Sequence, residues 1–113
     1  MKIVINQCYG GYGLSDAAIE RYAELSGITT YPEKSKYSSG STIFWEDEER
    51  TVELTNPERN DPLLIQAIEE LGTVVASGQF SELSIVEIPD DVVWEIEEYD
   101  GIEWVSEVHR TWS

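Results

Sequence analysis

The sequence predicts a single α+β domain over residues 1–113, with two helices packed on a mostly antiparallel sheet and a C-terminal β-hairpin. Two stretches repeat apolar residues at helical three- and four-residue steps, whereas several short runs are rich in β-branched and aromatic residues. Asp100-Gly101, a dipeptide preferred in two-residue hairpin turns, separates the last two runs. The chain has 113 residues, 41% of them hydrophobic, which suffices for one buried core.

The first half of the chain predicts one helix among short strands. The predicted elements are a strand at 1–6, a helix at 16–25, and strands at 28–31, 42–45 and 51–54. Ser15 is a suitable N-cap for the helix and Gly27 a suitable end. Pro32 is expected to end the second strand, and the serine-rich residues 33–41 are expected to form a loop. Residues 51–54 are predicted to pair with residues 42–45 as a hairpin.

The second half predicts a helix followed by antiparallel strands. Asn60 or Asp61 can cap this helix, Pro62 suits its first turn, and Gly72 marks its end. Its apolar stripe consists of Leu64, Ile65, Ile68 and Leu71. Residues 73–77 can add a helical turn, and residues 83–88 read as a strand.

The predicted hairpin joins residues 93–99 to residues 102–109. Its two-residue turn sets a register that pairs Tyr99 with Ile102, Ile96 with Val105 and Trp94 with Glu107. One face then carries Val93, Tyr99, Ile102, Trp104 and Val108, and the other carries Trp94, Ile96, Val105 and His109. Because neither face is polar throughout, one is expected to meet the core and the other a partner, a ligand or a second subunit.

The chain is strongly acidic, with 7 Lys and Arg residues against 23 Asp and Glu residues and a formal charge of -16. This charge argues against non-specific nucleic-acid binding and against anionic membranes. No Lys or Arg occurs between Arg59 and Arg110, so the C-terminal third is either a solvated acidic face or a docking surface for a basic partner. No apolar run approaches the ~18 residues of a membrane helix, and we expect a cytoplasmic protein.

A glycine-rich segment at residues 7–14 lies between the first strand and the first helix. This order is a common setting for binding small anions. Gly11-Tyr12-Gly13 does not complete a dinucleotide motif, because Asp16 stands where a small residue is required, and no phosphate-loop lysine is present. The glycines therefore serve either a tight turn or a ligand-contacting loop.

The sequence offers little support for catalysis or metal binding. Cys8 and His109 are the only cysteine and histidine, so a nucleophile and base pair is possible, but a buried apolar cysteine explains Cys8 better. One H-x-T element at residues 109–111 lacks the second histidine that two-histidine phosphoesterases use. A lone cysteine excludes an internal disulfide. We predict no catalytic residue, no metal ligand and no cofactor.

Several segments resemble a widespread family of small phage-encoded proteins of unassigned function. They are N-Q-C-Y-G-G-Y-G-L-S at 6–15, E-R-N-D-P at 58–62, E-E-L-G at 69–72, I-V-E-I-P-D-D at 85–91, W-E-I-E-E-Y-D-G at 94–101 and H-R-T-W at 109–112. The chain departs from that family at about residues 30–57. The resemblance implies a phage or prophage origin and no catalytic assignment. By analogy of class, such a protein would inhibit host defence.

We therefore expect a non-enzymatic counter-defence protein that sequesters a small nucleotide-like signal of the cyclic-nucleotide or cyclic ADP-ribose type. The expected ligand-binding residues are Asn6, Cys8, Tyr9, Gly10, Gly11, Tyr12, Arg59, Asp61, His109 and Arg110. The two tyrosines would stack on a base, the arginines would meet phosphates, and Asn6, Asp61 and His109 would read polar edges. Each arginine can equally pair with a glutamate.

Three alternatives stay open. The first is an acidic or DNA-mimicking inhibitor that docks residues 87–107 on a basic site of a host defence enzyme. The second is a phosphodiesterase-like hydrolase of the same signal. The third is a purely structural or regulatory phage protein. The two-sided hairpin makes a homodimer or larger assembly plausible.

Overall fold

The computed structural model describes residues 1–34, 42–54 and 56–108, which confirm the α+β class with three helices and six strands. The elements are β1 (Lys2–Asn6), α1 (Asp16–Ser26), β2 (Tyr31–Lys34), β3 (Thr42–Trp45), α2 (Pro62–Leu71), α3 (Thr73–Ala76), β4 (Leu83–Glu87), β5 (Trp94–Tyr99) and β6 (Ile102–Glu107). The described strands pair as three antiparallel two-stranded ribbons, β1–β4, β2–β3 and β5–β6.

The core forms where β1 and β4 meet the helices. Val4 of β1 and Leu64 and Ile68 of α2 are fully buried and belong to one hydrophobic cluster. The helical stripe and the apolar first strand thus pack against each other, as their patterns predict. Burial of these side chains is the main favourable contribution to folding.

Both long helices begin and end where their capping residues predict. The Ser15 side chain accepts a hydrogen bond from the Ala18 amide at 3.1 Å, and Gly27 ends α1 with φ of 73°. The Asp61 carboxylate accepts from the Leu63 amide at 2.9 Å, and Pro62 is the first residue of α2. These caps satisfy amides and carbonyls that the helices leave unpaired.

The predictions for residues 28–54 are partly wrong. The second strand is Tyr31–Lys34 rather than 28–31, so it includes Pro32 and the first two residues of the predicted loop; residues 35–41 lie outside the described residues. Proline is tolerated because, among the described strands, β2 pairs with β3 only and needs no amide on its other side. Residues 51–54 do not form a strand, but they lie along the other edge of β3, as the predicted pairing requires. Glu53 forms an isolated bridge with Trp45, and the Leu54 amide donates to the Phe44 carbonyl at 2.8 Å.

The C-terminal hairpin has the predicted register. Tyr99 pairs with Ile102 and Trp94 with Glu107, around a turn in which Asp100 and Gly101 both have positive φ, 51° and 94°. Positive φ at both turn residues suits the right-handed twist of the flanking strands. The hairpin packs through β6 beside β1.

The two hairpin faces differ in exposure. The inner face carries the half-buried Trp94, Ile96 and Val105, whereas Val93, Tyr99 and Trp104 on the opposite face are exposed. Within residues 1–34, 42–54 and 56–108, no helix is long and apolar enough to span a bilayer.

Candidate functional site

Arg59, an expected phosphate ligand, lies in a bidentate ion pair with Glu103. Its Nη1 and Nη2 donate to the two carboxylate oxygens at 2.7 and 2.8 Å. Glu103 is 8% exposed and Arg59 24% exposed, so water reaches this pair only partly. Paired charges of this geometry are strongly coupled.

The same ion pair covers the edge of β1 that β4 leaves unpaired. The Val4 amide donates to the Arg59 carbonyl at 3.0 Å, and Arg59 Nη1 donates to the Val4 carbonyl at 3.3 Å. The Asn6 amide donates to Glu103 Oε1 at 2.9 Å. These contacts take the place of a neighbouring strand, and they protect an edge that would otherwise pair with another chain.

Burial and charge shift the acidities within this cluster. Burial opposes ionisation of Glu103, but hydrogen bonds from Arg59 and from the Asn6 amide outweigh it and lower the pKa of that carboxyl. The Arg59 guanidinium lies 3.4 Å from the Tyr12 ring centroid. Burial raises the pKa of the Tyr12 phenol to about 12, although the Arg59 charge opposes the shift. The Tyr12 hydroxyl is buried without a hydrogen-bond partner in the described part of the chain.

Asn6 is fully buried and joins three segments of the chain. Its Nδ2 donates to the Cys8 and Gly101 carbonyls, each at 2.7 Å. Its Oδ1 accepts from the Glu82 amide at 2.8 Å. Because both amide hydrogens and the carbonyl oxygen are engaged, the predicted reading of a ligand edge by Asn6 would require these bonds to break.

The glycine-rich loop is held between the hairpin turn and residues 78–81. A Cβ added to Gly10 would lie 1.8 Å from the Phe80 carbonyl oxygen, and Gly11 has φ of 94°. The Cys8 thiol lies 3.1 Å from that same oxygen. Close backbone approach therefore explains Gly10, and the positive φ explains Gly11. The Tyr9 side chain projects from the loop, with 68% of its surface exposed.

The remaining expected ligand residues lie elsewhere. Asp61 caps α2, and its other carboxylate oxygen accepts from the Tyr22 hydroxyl at 3.0 Å. His109 and Arg110 lie outside the described residues. The structure therefore brings Asn6, Tyr12 and Arg59 together around Glu103, whereas Cys8, Gly10 and Gly11 lie next to this cluster, against residues 80 and 101. Ligand binding by these residues stays a prediction.

Glu103 is the residue of this cluster that sequence reasoning missed. The predicted register places it on the inner hairpin face with Ile96 and Val105, where a carboxylate needs a cationic partner. Arg59 is one of only seven basic residues, and pairing with a glutamate was one of the two roles expected for it. A carboxylate on the inner face of the hairpin, in a chain with few arginines, could therefore have predicted an ion pair between Glu103 and an arginine.

A cleft of about 580 Å³ opens at the N-terminus of α1. The Asp16 carboxylate lies on this cleft and accepts a hydrogen bond from the Thr42 hydroxyl at 2.9 Å. A carboxylate at this position opposes the binding of an anion to the helix N-terminus. Among residues 1–34, 42–54 and 56–108, no group of three His, Cys, Asp or Glu side chains is arranged to hold a metal ion.

The exposed side of the hairpin, here called the outer face, combines aromatic and acidic side chains. It consists of Val93, Glu95, Glu97, Tyr99, Ile102, Trp104, Ser106 and Val108, as the strand register requires. Tyr99 is 72% exposed and Trp104 43% exposed. The Trp104 indole donates to the Glu97 carboxylate at 2.9 Å, which holds the ring on the surface.

Positive charge is scarce and mostly paired. In the described part of the chain, Lys2, Arg21 and Arg50 contact Glu69, Glu70 and Glu33 at 3.1, 2.6 and 2.9 Å. No Lys or Arg occurs from residue 60 to residue 109, so the outer face carries none. The charged side chains that the hairpin strands place beside these aromatic residues are therefore all acidic.

Comparisons of the chain with protein-family models, with curated proteins and with solved structures give no match. The resemblance to small phage proteins accordingly stays a prediction from the sequence segments.

Proposed function

We propose that the protein is a non-enzymatic inhibitor that docks on a basic site of another protein through the outer face of its hairpin. The observation that carries this proposal is the exposure of Tyr99 and Trp104 on a strand pair whose charged residues are all acidic. Exposed apolar patches rimmed by polar residues often mark sites of protein interaction. Large aromatic side chains are also the commonest energetic anchors of protein interfaces.

The charge pattern favours a basic protein over other partners. Glu95 and Glu97 flank the aromatic side chains, and a field of this sign attracts a cationic surface and speeds its association. A nucleic acid would be repelled by the same charges. If the predicted phage origin holds, the basic site belongs to a host defence enzyme that normally binds an anionic substrate.

Capture of a nucleotide-like signal remains an alternative from the sequence, and the site geometry supports it less. Tyr9 is exposed enough to stack on a base. Arg59, however, already has both terminal nitrogens bound to Glu103. A phosphate would have to displace that carboxylate and leave it buried without its cation, which is costly. Hydrolysis of the signal gains no support from the arrangement of the described side chains.

The experiment places a photo-crosslinking amino acid at position 99, on the outer face, and irradiates the protein in a bacterial lysate. The crosslinked protein is identified by mass spectrometry, purified and titrated by calorimetry with the unmodified protein. Trp104→Ala and Tyr99→Ala should each raise the measured Kd by about tenfold or more, because each removes an aromatic side chain that anchors the interface. Val74→Ala is the matched control, since Val74 is also exposed but lies on α3.

The proposal requires a basic partner whose affinity falls with added salt and whose activity is inhibited in proportion to its occupancy. It would be refuted if outer-face variants bind like the Val74 control. A thermal shift caused by cyclic nucleotides and lost in Tyr9→Ala would favour capture instead.

A further inference from the structure

The hairpin leaves one strand edge unpaired. β5 pairs with β6, and the Val108 amide donates to the Val93 carbonyl just beyond the ladder. Backbone groups of an antiparallel strand alternate in direction, so residues 93, 95, 97 and 99 bond to β6. The amides and carbonyls of Trp94, Ile96 and Glu98 consequently point away from the hairpin.

No other segment in the described part of the chain is hydrogen-bonded to this edge. No hydrogen bond within residues 1–34, 42–54 and 56–108 reaches the backbone of Trp94, Ile96 or Glu98 from outside the hairpin. β6 lies on the side nearer the body of the protein, beside β1, and β5 lies on the far side. An open strand edge of this kind is a template for pairing with another segment.

The side chains along β5 specify which segment fits. Paired residues on neighbouring strands share a face, so an added strand would place alternate residues beside Glu95 and Glu97 and the others beside Trp94 and Ile96. Basic residues complement the first pair and apolar residues the second. A second copy of β5 is a poor match, because it would bring glutamates together along the shared edge.

We propose that the β5 edge binds an extended segment with alternating basic and apolar residues, which adds to the hairpin as a third strand. This inference rests on the proposed function and names its mode of recognition. Main-chain hydrogen bonds to Trp94, Ile96 and Glu98 supply affinity, and the glutamates and the inner apolar side chains select the sequence. The aromatic residues of the outer face then contact the surface from which that segment projects.

The test uses the full chain and a synthetic peptide of about eight residues that alternates lysine and valine. The control peptide has the same composition, with its lysines and valines in two separate blocks. NMR measures amide hydrogen exchange with and without each peptide. The alternating peptide should slow exchange of the Trp94, Ile96 and Glu98 amides by about tenfold or more, whereas the Glu95 and Glu97 amides, already bonded to β6, should change little.

Two variants distinguish the contribution of the strand-edge backbone to peptide binding from that of the side chains. Ile96→Pro and Ile96→Ala both shorten the side chain, but only proline removes the outward amide that the hairpin does not use. The proline variant should lose peptide binding while the alanine variant keeps most of it, with circular dichroism confirming that both fold. If the proline variant does not fold, the exchange measurement on the unmodified chain decides.

The outcomes distinguish this inference from the proposed function. Strand addition is overturned if both peptides bind equally well. It is also overturned if the peptide slows amide exchange across the outer face but not at the three edge amides. Either result leaves docking through the outer face in place. If the edge amides exchange more slowly as the protein concentration rises, without any peptide, the edge instead pairs with a second copy of the chain, and the proposal is overturned. Slower exchange of the edge amides in the presence of the alternating peptide supports strand addition. This conclusion holds even if Trp104→Ala leaves the affinity for a crosslinked partner unchanged, a result that would refute docking through the outer face.

Discussion

Glu103→Gln tests whether the ion pair on the β1 edge stabilises the fold. The substitution keeps the shape of the side chain and one oxygen that can still accept the hydrogen bond from the Asn6 backbone amide. It removes the negative charge and one of the two hydrogen bonds with Arg59. Breaking a fully buried pair by removing one partner costs about 3–5 kcal/mol.

The structure reduces that figure for this pair. Arg59 is 24% exposed, so water partly solvates the guanidinium that is left behind. A hydrogen bond to a charged group contributes about 1.5–3 kcal/mol, and one such bond is lost. We therefore expect Glu103→Gln to lower the free energy of unfolding by about 2 kcal/mol.

Urea unfolding, followed by circular dichroism, measures the change. Glu95→Gln is the matched control, since Glu95 is exposed on the neighbouring strand and its substitution should cost less than about 0.5 kcal/mol. A double-mutant cycle with Arg59→Gln should give a coupling energy of at least about 1 kcal/mol. Equal losses for the two glutamate variants, or a coupling energy near zero, would show that the pair does not stabilise the β1 edge.

The pH dependence gives an independent reading of the same pair. The pKa of Glu103 is lowered in the folded protein, so near and below its ordinary value the unfolded chain binds more protons at this carboxyl. Its contribution is therefore complete above the ordinary pKa and is lost as the pH falls through the lowered one. The stability difference between the unmodified protein and Glu103→Gln should shrink over this acidic range, and a constant difference would contradict the assignment.

Further predictions concern the glycines and Tyr12. Gly101→Ala should cost at least about 2 kcal/mol in urea unfolding, because its Cβ would lie 2.6 Å from the Tyr9 carbonyl oxygen. Gly27→Ala, also at positive φ but facing open space, should cost only about 1 kcal/mol, and equal costs would refute the crowding argument. Tyr12→Phe should be neutral or stabilising by up to about 1 kcal/mol, since it removes a buried hydroxyl without a partner, and a large loss would reveal a missed hydrogen bond. In an alkaline absorbance titration the unmodified protein should show one tyrosine with a pKa of about 12 that Tyr12→Phe lacks.

Much of the architecture was predictable because its determinants are local. The caps at Ser15 and Asp61 and the turn at Asp100-Gly101 act over a few residues, and the structure has each of them in place. β3 lies at the predicted residues 42–45, whereas β2 was misplaced, because short strands of similar composition compete and only pairing partners decide between them. Pro32 gave a misleading stop signal, since an edge strand does not need its amide.

The candidate site was predictable only in part, because it depends on distant contacts. The sequence by itself determined the acidic charge, the helix limits and the hairpin register, all of which follow from composition or from short-range geometry. The tertiary structure alone decided which hairpin face is buried, and so brought Glu103 to Arg59 and left Tyr99 and Trp104 exposed. A strand pattern with apolar residues on both faces does not indicate which face will be buried. Packing of the hairpin against β1 decided this.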